Sequence, residues 1–188
     1  MTAGRIVYVG CGLAGKRTSL TSVRAQGASL SLSSLGNEEH AIAWPSGSSE
    51  KTRHLLLSAS IMRAWLRFDT AEEAMSHTIV ADEMTRLRDV LGLVFVLDSQ
   101  QSRFAANVEH FSRLSRDLSH IGIDINSKPI VFQVNKRDLL PVCSMATVQS
   151  HFSASRCAFV ESIATQSIGT LEALQALVAL VDACDAET

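Results

Sequence analysis

The chain has 188 residues, of which 46% are hydrophobic, and its 17 Lys and Arg are nearly balanced by 19 Asp and Glu. This composition is typical of a compact globular protein, so we expect residues 1–188 to form a single domain that needs neither a metal nor a disulfide to fold. The formal charge of −2 lacks the basic excess that binding to a nucleic-acid backbone requires, and we therefore expect no nucleic-acid partner.

The four cysteines lie far apart and form no C-x-x-C pair, which argues against a zinc site or a redox motif and fits a reducing compartment. No apolar run reaches the length of a membrane span, and the N-terminal apolar segment is too short for a signal sequence. We expect a cytoplasmic protein without a membrane span.

Short apolar runs rich in β-branched residues predict buried strands at residues 6–9, 93–97, 129–134 and 158–160. Helical spacing of apolar residues predicts helices between Ser102 and Gly122, from Asp69 to about Asp89, and onward from Thr170. Residues 26–60 are rich in Ser and Gly and predict a long loop with a hairpin formed by residues 40–44 and 54–58. The alternation of strands and helices predicts an α/β three-layer sandwich around a mostly parallel sheet.

A glycine-rich segment lies between the first predicted strand and the following helix, and it consists of Gly10, Cys11, Gly12, Leu13, Ala14, Gly15, Lys16, Arg17 and Thr18. Glycines allow backbone N–H groups to converge on phosphate oxygens, and the helix N-terminus and Lys16 add positive charge. The Gly-x4-Gly-Lys spacing in this context predicts a phosphate-binding loop. Because Cys11 lies beside a helix N-terminus, we expect the pKa of its thiol to be lowered.

A polar tetrapeptide, Asn135, Lys136, Arg137 and Asp138, follows the strand predicted at residues 129–134. The carboxylate of Asp138 can accept hydrogen bonds from N1–H and the exocyclic amine of guanine, whereas the N1 acceptor of adenine would repel it. The amide of Asn135 can bridge the O6/N7 edge of the base to the protein, and the aliphatic part of Lys136 can lie over the purine ring. This segment predicts guanine recognition.

A third segment follows the strand predicted at residues 158–160, where the backbone N–H of Ala164 or Thr165 can reach the carbonyl of guanine. The three segments all follow parallel strands at their carboxyl ends, which lie at one edge of a sheet. We therefore expect one guanine-nucleotide site for GTP or GDP at that edge.

These segments, in this order, resemble the Ras-like small GTPases and are most similar to the bacterial MglA-type proteins of polarity and gliding motility. The resemblance rests on residues 5–18, residues 91–100 (LGLVFVLDSQ), residues 131–139 (VFQVNKRDL), residues 160–169 (VESIATQSIG) and the tripeptide at residues 51–53. It implies a P-loop NTPase fold of the Ras-like type, and a protein partner or regulator that in MglA-type proteins is a roadblock-fold dimer.

The sequence departs from an active GTPase at the metal position. The residue after the loop lysine is normally Ser or Thr, whose hydroxyl coordinates Mg²⁺, but here it is Arg17. Thr18 lies about 100° further around the helix, so we do not expect it to reach the same ion. Two interpretations of Arg17 stay open: its guanidinium replaces part of the charge of the metal, or it points into solvent and the metal site is lost.

The D-x-x-G element of switch II is also altered, and two alignments compete. In the first, Ser58, Ala59 and Ser60 stand at this element; in the second, Asp69, Thr70, Ala71 and Glu72 do. Both lack the glycine that senses the γ-phosphate, and neither is followed by a glutamine that would position water. We assign no catalytic residue and no metal ligand.

The leading hypothesis is a small G protein that binds GTP and GDP, hydrolyses GTP slowly or not at all, and acts as a switch that binds a partner. The alternative is a pseudo-GTPase scaffold that binds no nucleotide and serves protein–protein interaction.

Overall fold

The computed structural model describes residues 4–26, 32–34, 39–45, 52–59, 90–120 and 122–186. Within these ranges the strands are β1 Gly4–Val9, β2 Leu32–Ser34, β3 Glu39–Pro45, β4 Thr52–Ala59, β5 Val90–Asp98, β6 Ile130–Asn135 and β7 Cys157–Glu161. The α-helices are α1 Lys16–Gln26, α2 Phe104–His120, α3 Met145–His151 and α4 Thr170–Ala186.

The strands form one sheet in the order β2-β3-β4-β1-β5-β6-β7. Strands β4, β1, β5, β6 and β7 run parallel to one another. Strand β3 pairs with β4 in antiparallel fashion, and β2 pairs with β3 in the same way. The carboxyl ends of β1, β5, β6 and β7 therefore lie side by side at one edge, which is where the loops that follow these strands meet.

Side chains alternate across the sheet and produce two different faces. The face that packs against α2 and α3, here called the aromatic face, contains Phe95, Phe111, Phe132 and Phe152. The opposite face packs against α1 and α4, is here called the α1/α4 face, and contains buried aliphatic side chains together with Tyr8. Residues Phe132 and Gln133 are neighbours on β6 and point to opposite faces, because successive side chains of a strand alternate.

Buried serine, threonine and glutamine side chains lie on the α1/α4 face. Ser22 on α1 and Thr170 on α4 are joined by a hydrogen bond of 2.6 Å between their hydroxyl oxygens, and the amide nitrogen of Gln26 donates to both. These polar contacts join α1 to α4.

Local sequence signals set the ends of α2. The helix begins at Phe104 after a 3₁₀ turn over Gln101–Arg103. It ends where Gly122 takes φ 78°, and the N–H of Ile123 donates to the carbonyl of Leu118, which is a common helix-terminating pattern for glycine.

The α/β class, the mostly parallel sheet and the three layers are confirmed. All four predicted strands are present, as is the hairpin, now β3 and β4; the strand predicted from residue 129 begins instead at Ile130. The prediction of loop before the hairpin is wrong for Leu32–Ser34, which forms β2. The helix predicted from Asp69 lies outside the described residues. That the whole chain is a single domain stays a prediction.

In the described parts of the chain, no helix is both long enough and apolar enough to cross a bilayer.

Candidate functional site

The loop between β1 and α1 is folded around its lysine. The ammonium of Lys16 donates to the carbonyls of Gly10 at 2.7 Å and Cys11 at 2.8 Å. Burial, with a smaller contribution from the neighbouring Arg17, lowers the pKa of Lys16. The loop thus holds a cation on its inner side, beside the N-terminus of α1.

Glycines make this loop possible at two positions. Gly10 has φ 132° and lies so close to β5 that a Cβ would collide with the carbonyl of Val96. Gly15 has φ 105° and packs against the side-chain amide of Asn135. L-residues rarely adopt these conformations, so both positions require glycine.

The tip of the loop faces solvent. A Cβ at Gly12 would meet nothing within 4 Å, and Leu13 takes φ 66° and is 88% exposed. Within the described part of the chain, the N–H groups of Gly12, Leu13 and Gly15 donate to no carbonyl. The loop therefore presents backbone donors that a bound anion can satisfy.

The side chains at the start of α1 do not fit a magnesium ion. Arg17 and Thr18 are exposed, and Arg17 is itself a cation. The next hydroxyl, that of Ser19, is buried and donates to the carbonyl of Gly15 at 3.0 Å. The ranges that the structure describes contain no group of three or more His, Cys, Asp or Glu side chains that could hold a metal. At the position directly after the loop lysine, where P-loop GTPases carry the hydroxyl that ligates Mg²⁺, this chain therefore has a guanidinium.

Asn135 joins two parts of the site: its own segment, residues 135–138 and here called the base segment, and the loop of residues 10–18, here called the phosphate loop. Its side chain is 2% exposed, and its amide nitrogen donates to the carbonyl of Ala14 at 2.8 Å. Its amide oxygen accepts from the N–H of Ala164 at 2.9 Å and from the hydroxyl of Ser162 at 3.1 Å. The three predicted segments therefore lie together at one edge of the sheet.

The side chain of Lys136 is anchored by an acidic residue at the end of β5. Lys136 has φ 65°, and its ammonium lies 2.7 Å from a carboxylate oxygen of Asp98, which is 2% exposed. The guanidinium of Arg103 approaches the same carboxylate at 4.0 Å and donates to the carbonyl of Gly12 at 3.2 Å. Asp98 thus fixes the ammonium end of Lys136, and Arg103 connects Asp98 and the 3₁₀ turn before α2 to the phosphate loop.

Arg137 fixes the loop that presents Asp138. The guanidinium of Arg137 donates to the carbonyl of Cys143 at 2.7 Å and lies 3.2 Å from the carboxylate of Glu161. Its backbone N–H donates to the carbonyl of Ser162. Asp138 is exposed at this fixed loop, so its carboxylate is accessible to a ligand.

Ala164 and Thr165 begin a 3₁₀ turn over Ala164–Gln166, with Ala164 buried and Thr165 exposed. The N–H of Ala164 donates to Asn135 in this structure, so a bound guanine would have to share that donor. Their contact with a base stays a prediction.

A buried network of hydrogen bonds lies beneath these loops. The amide nitrogen of Gln133, on the α1/α4 face of β6, donates to the hydroxyl of Ser19 at 2.8 Å and to the hydroxyl of Ser162 at 2.9 Å. Ser19 in turn donates to Gly15 in the phosphate loop, and Ser162 donates to Asn135 in the base segment. The buried side chain of Gln133 therefore connects the phosphate loop to the base segment through Ser19 and Ser162.

The prediction that the pKa of the Cys11 thiol is lowered is wrong. Its thiol is 5% exposed and donates to the carbonyl of Ala106 at 3.1 Å. Burial raises the pKa of this thiol and outweighs the lowering by Arg103 and Lys16. Cys11 packs beneath the loop as a small apolar residue.

The residues of the two switch II alignments are described only in part. Ser58 and Ala59 end β4, whereas Ser60 and residues 69–72 lie outside the described residues.

The sequence analysis assigned no role in the site to Gln133, Asp98 or Arg103. Gln133 had a recognisable signal, because it is polar in the middle of an apolar strand. Asp98 and Arg103 gave a weaker signal, because charged residues at or just after a strand end are usually solvated.

No profile of a known protein family matches the chain. The chain is similar to the mutual gliding-motility protein MglA of Myxococcus xanthus, with 30% identity over 189 aligned residues that cover 94% of this chain and 89% of the relative. With the sheet order and the loop described above, this similarity shows that the chain belongs to the MglA-type family of Ras-like small GTPases.

Proposed function

We propose that this protein binds GDP and GTP at the edge formed by the loops after β1, β6 and β7, and that it acts as a partner-binding switch with slow or no hydrolysis of GTP. The observation that carries the proposal is the hydrogen bond between Asn135 and the carbonyl of Ala14, which joins the phosphate loop to the base segment. Groups suited to a phosphate and to a guanine thereby lie within reach of one nucleotide.

The phosphate end of the ligand fits the groups in the loop. Gly12, Leu13 and Gly15 offer backbone N–H groups, and Lys16 offers a cation beside the start of a helix. Such donors bind phosphate oxygens without a metal ligand of their own. Arg17 adds a second cation at the position where a hydroxyl would ligate magnesium, which supports binding that depends only weakly on Mg²⁺.

The base end fits guanine. Asp138 is an exposed carboxylate on a loop fixed by Arg137, and a carboxylate there pairs with N1–H and the exocyclic amine. Lys136 is held by Asp98 so that its aliphatic part can cover a purine ring.

We assign slow or absent hydrolysis because the chain supplies no water-positioning glutamine in either switch II alignment and carries Arg17 at the metal position. The protein would then act by presenting a surface to a cytoplasmic partner or regulator, for which a roadblock-type dimer is the candidate by resemblance.

Titration with a fluorescent GDP analogue, with and without EDTA, tests the proposal. We expect saturable binding that GDP competes away and ADP does not, with less than about a tenfold change in Kd on chelation, which corresponds to about 1.4 kcal/mol. Absence of binding at tens of micromolar protein would overturn the proposal and favour the pseudo-GTPase scaffold.

The variant Asp138→Ala tests the base assignment. Charge-assisted hydrogen bonds contribute about 1.5–3 kcal/mol, so we expect the preference for GDP over ADP to fall by roughly tenfold to a hundredfold. Glu109→Ala, which removes an exposed carboxylate from α2, is the matched control and should leave the preference unchanged. Equal preference in both variants would mean that the base is recognised elsewhere.

A further inference from the structure

We propose that Gln133 is a positioning residue that couples the phosphate loop to the base segment, so that selectivity for guanine depends on Ser19 of α1 as well as on the residues that face the base. The proposal rests on the proposed function, since it concerns how the same site is held together. Gln133 is fully buried, and the residues of β6 before Asn135 are otherwise apolar.

The direction of the hydrogen bonds supports this role. The hydroxyls of Ser19 and Ser162 each use their proton on a loop, Ser19 on the carbonyl of Gly15 and Ser162 on the amide oxygen of Asn135. Each hydroxyl therefore accepts from Gln133, whose amide nitrogen has two protons and satisfies both. The network runs without interruption from one loop through Gln133 to the other, and hydrogen bonds linked in this way strengthen one another.

The unpaired oxygen of the same amide argues against a purely stabilising role. The amide oxygen of Gln133 is buried and has no hydrogen-bond partner in the described residues. Leaving a buried acceptor unsatisfied destabilises a fold, whereas an apolar residue of similar shape would avoid that cost. A buried polar side chain that interrupts an apolar strand next to a site is typical of a functional constraint.

The chain offers a matched control one turn along α1. Ser19 and Ser22 are both buried, and each hydroxyl accepts from a glutamine amide, Ser19 from Gln133 and Ser22 from Gln26. Ser22 is paired with Thr170 instead of with a loop of the site. Removing either hydroxyl makes a similar change in the same helix, but only Ser19 belongs to the network.

The first experiment measures Kd for GDP and ADP by calorimetry. We expect Gln133→Met and Ser19→Ala each to weaken GDP binding about tenfold and to lower the preference for GDP over ADP by a similar factor, because the loops lose their common support. The thermal midpoint of Gln133→Met should stay within about 3 °C of the wild type. Ser22→Ala should keep the wild-type preference, and Ser162→Thr, which keeps a hydroxyl, should retain more of it than Ser162→Ala.

The second experiment needs no nucleotide and measures amide hydrogen exchange in peptides that contain Ala164, whose N–H donates to Asn135. We expect exchange there to be several-fold faster in Ser19→Ala than in Ser22→Ala, since only the former removes a member of the network.

The outcomes separate the two proposals. If the wild type binds no GDP, the proposed function fails, and the exchange experiment alone decides the coupling. Equal exchange in Ser19→Ala and Ser22→Ala, or an unchanged nucleotide preference in Gln133→Met, would overturn the positioning role of Gln133.

Discussion

The two faces of the sheet are packed in different ways, one with clustered aromatic rings and the other with a buried network of polar side chains. On the aromatic face, the ring of Phe132 lies within 6.0 Å, centre to centre, of the rings of Phe95, Phe111 and Phe152. On the α1/α4 face, the neighbouring Gln133 takes part in a buried polar network that ends in two loops. On our proposal for Gln133, adjacent residues of β6 have separate roles, Phe132 in the stability of the fold and Gln133 in the geometry of the loops.

The largest expected effect is on stability and belongs to the aromatic face. Phe132→Ala removes a fully buried ring and should lower the free energy of unfolding by about 3–5 kcal/mol, measured by urea denaturation. The folded protein should keep its preference for GDP over ADP. If the variant does not fold, Phe132→Leu provides the milder test, and a loss of preference in it would contradict the division between the faces.

The next effect is on phosphate binding. Lys16→Met should raise the Kd for GDP by roughly tenfold to a hundredfold, because it removes a cation from the phosphate loop. Lys128→Met is the control, since Lys128 also donates to a backbone carbonyl, that of Val90, but at the opposite edge of the sheet. A similar loss of affinity in both variants would argue against a local role for Lys16.

We expect the stability of the fold to depend on pH through His110, which lies on α2. Burial, followed by repulsion from Lys16 and Arg113, lowers the pKa of His110 to about 4. Because an unfolded histidine titrates near 6.5, the unfolded state binds more protons between these values, and stability falls as the pH drops from about 6.5 to 4.

We expect this loss to be on the order of 1–3 kcal/mol and His110→Leu to reduce it, measured by urea denaturation at pH 7 and pH 5. An unchanged pH dependence in the variant would assign the effect to other groups. The result would also show how far α2 is coupled electrostatically to the phosphate loop.

The smallest effect concerns the metal. Arg17→Thr places a hydroxyl after the loop lysine and should make GDP binding about tenfold more sensitive to EDTA than in the wild type. Arg17→Ala removes the cation without adding a hydroxyl and serves as control. The same EDTA response in wild type and Arg17→Thr would contradict a role for Arg17 in place of the ion.

Much of the fold could be predicted from sequence because the buried strands are continuous apolar runs, as in β5 and β6. Strand β2 could not, since its three residues carry no strand pattern of their own and form a strand through pairing with β3. The prediction for Cys11 failed for a related reason: its burial against α2 depends on a contact with Ala106, which is distant in sequence.

The placement of the three site segments at one edge followed from their positions after parallel strands, whose carboxyl ends share an edge, but the connections between the segments did not. Asp98 and Lys136 are 38 positions apart, and the sequence gives no sign that their charges would pair instead of facing water. Gln133 was visible as an exception in its strand, yet its partners Ser19 and Ser162 became evident only when the helix and the loops were placed around it.

The contact between Ser22 and Thr170 has a consequence for the folding of the chain during its synthesis. The two residues are 148 positions apart, and α4 contributes Leu174, Leu177 and Val178 to the core of its face. While the chain is still emerging from the ribosome, that side of the sheet stays open until α4 has been made. Native closure of this layer therefore has to wait for the synthesis of α4, and exposed apolar strands of this kind are prone to aggregation until they are covered.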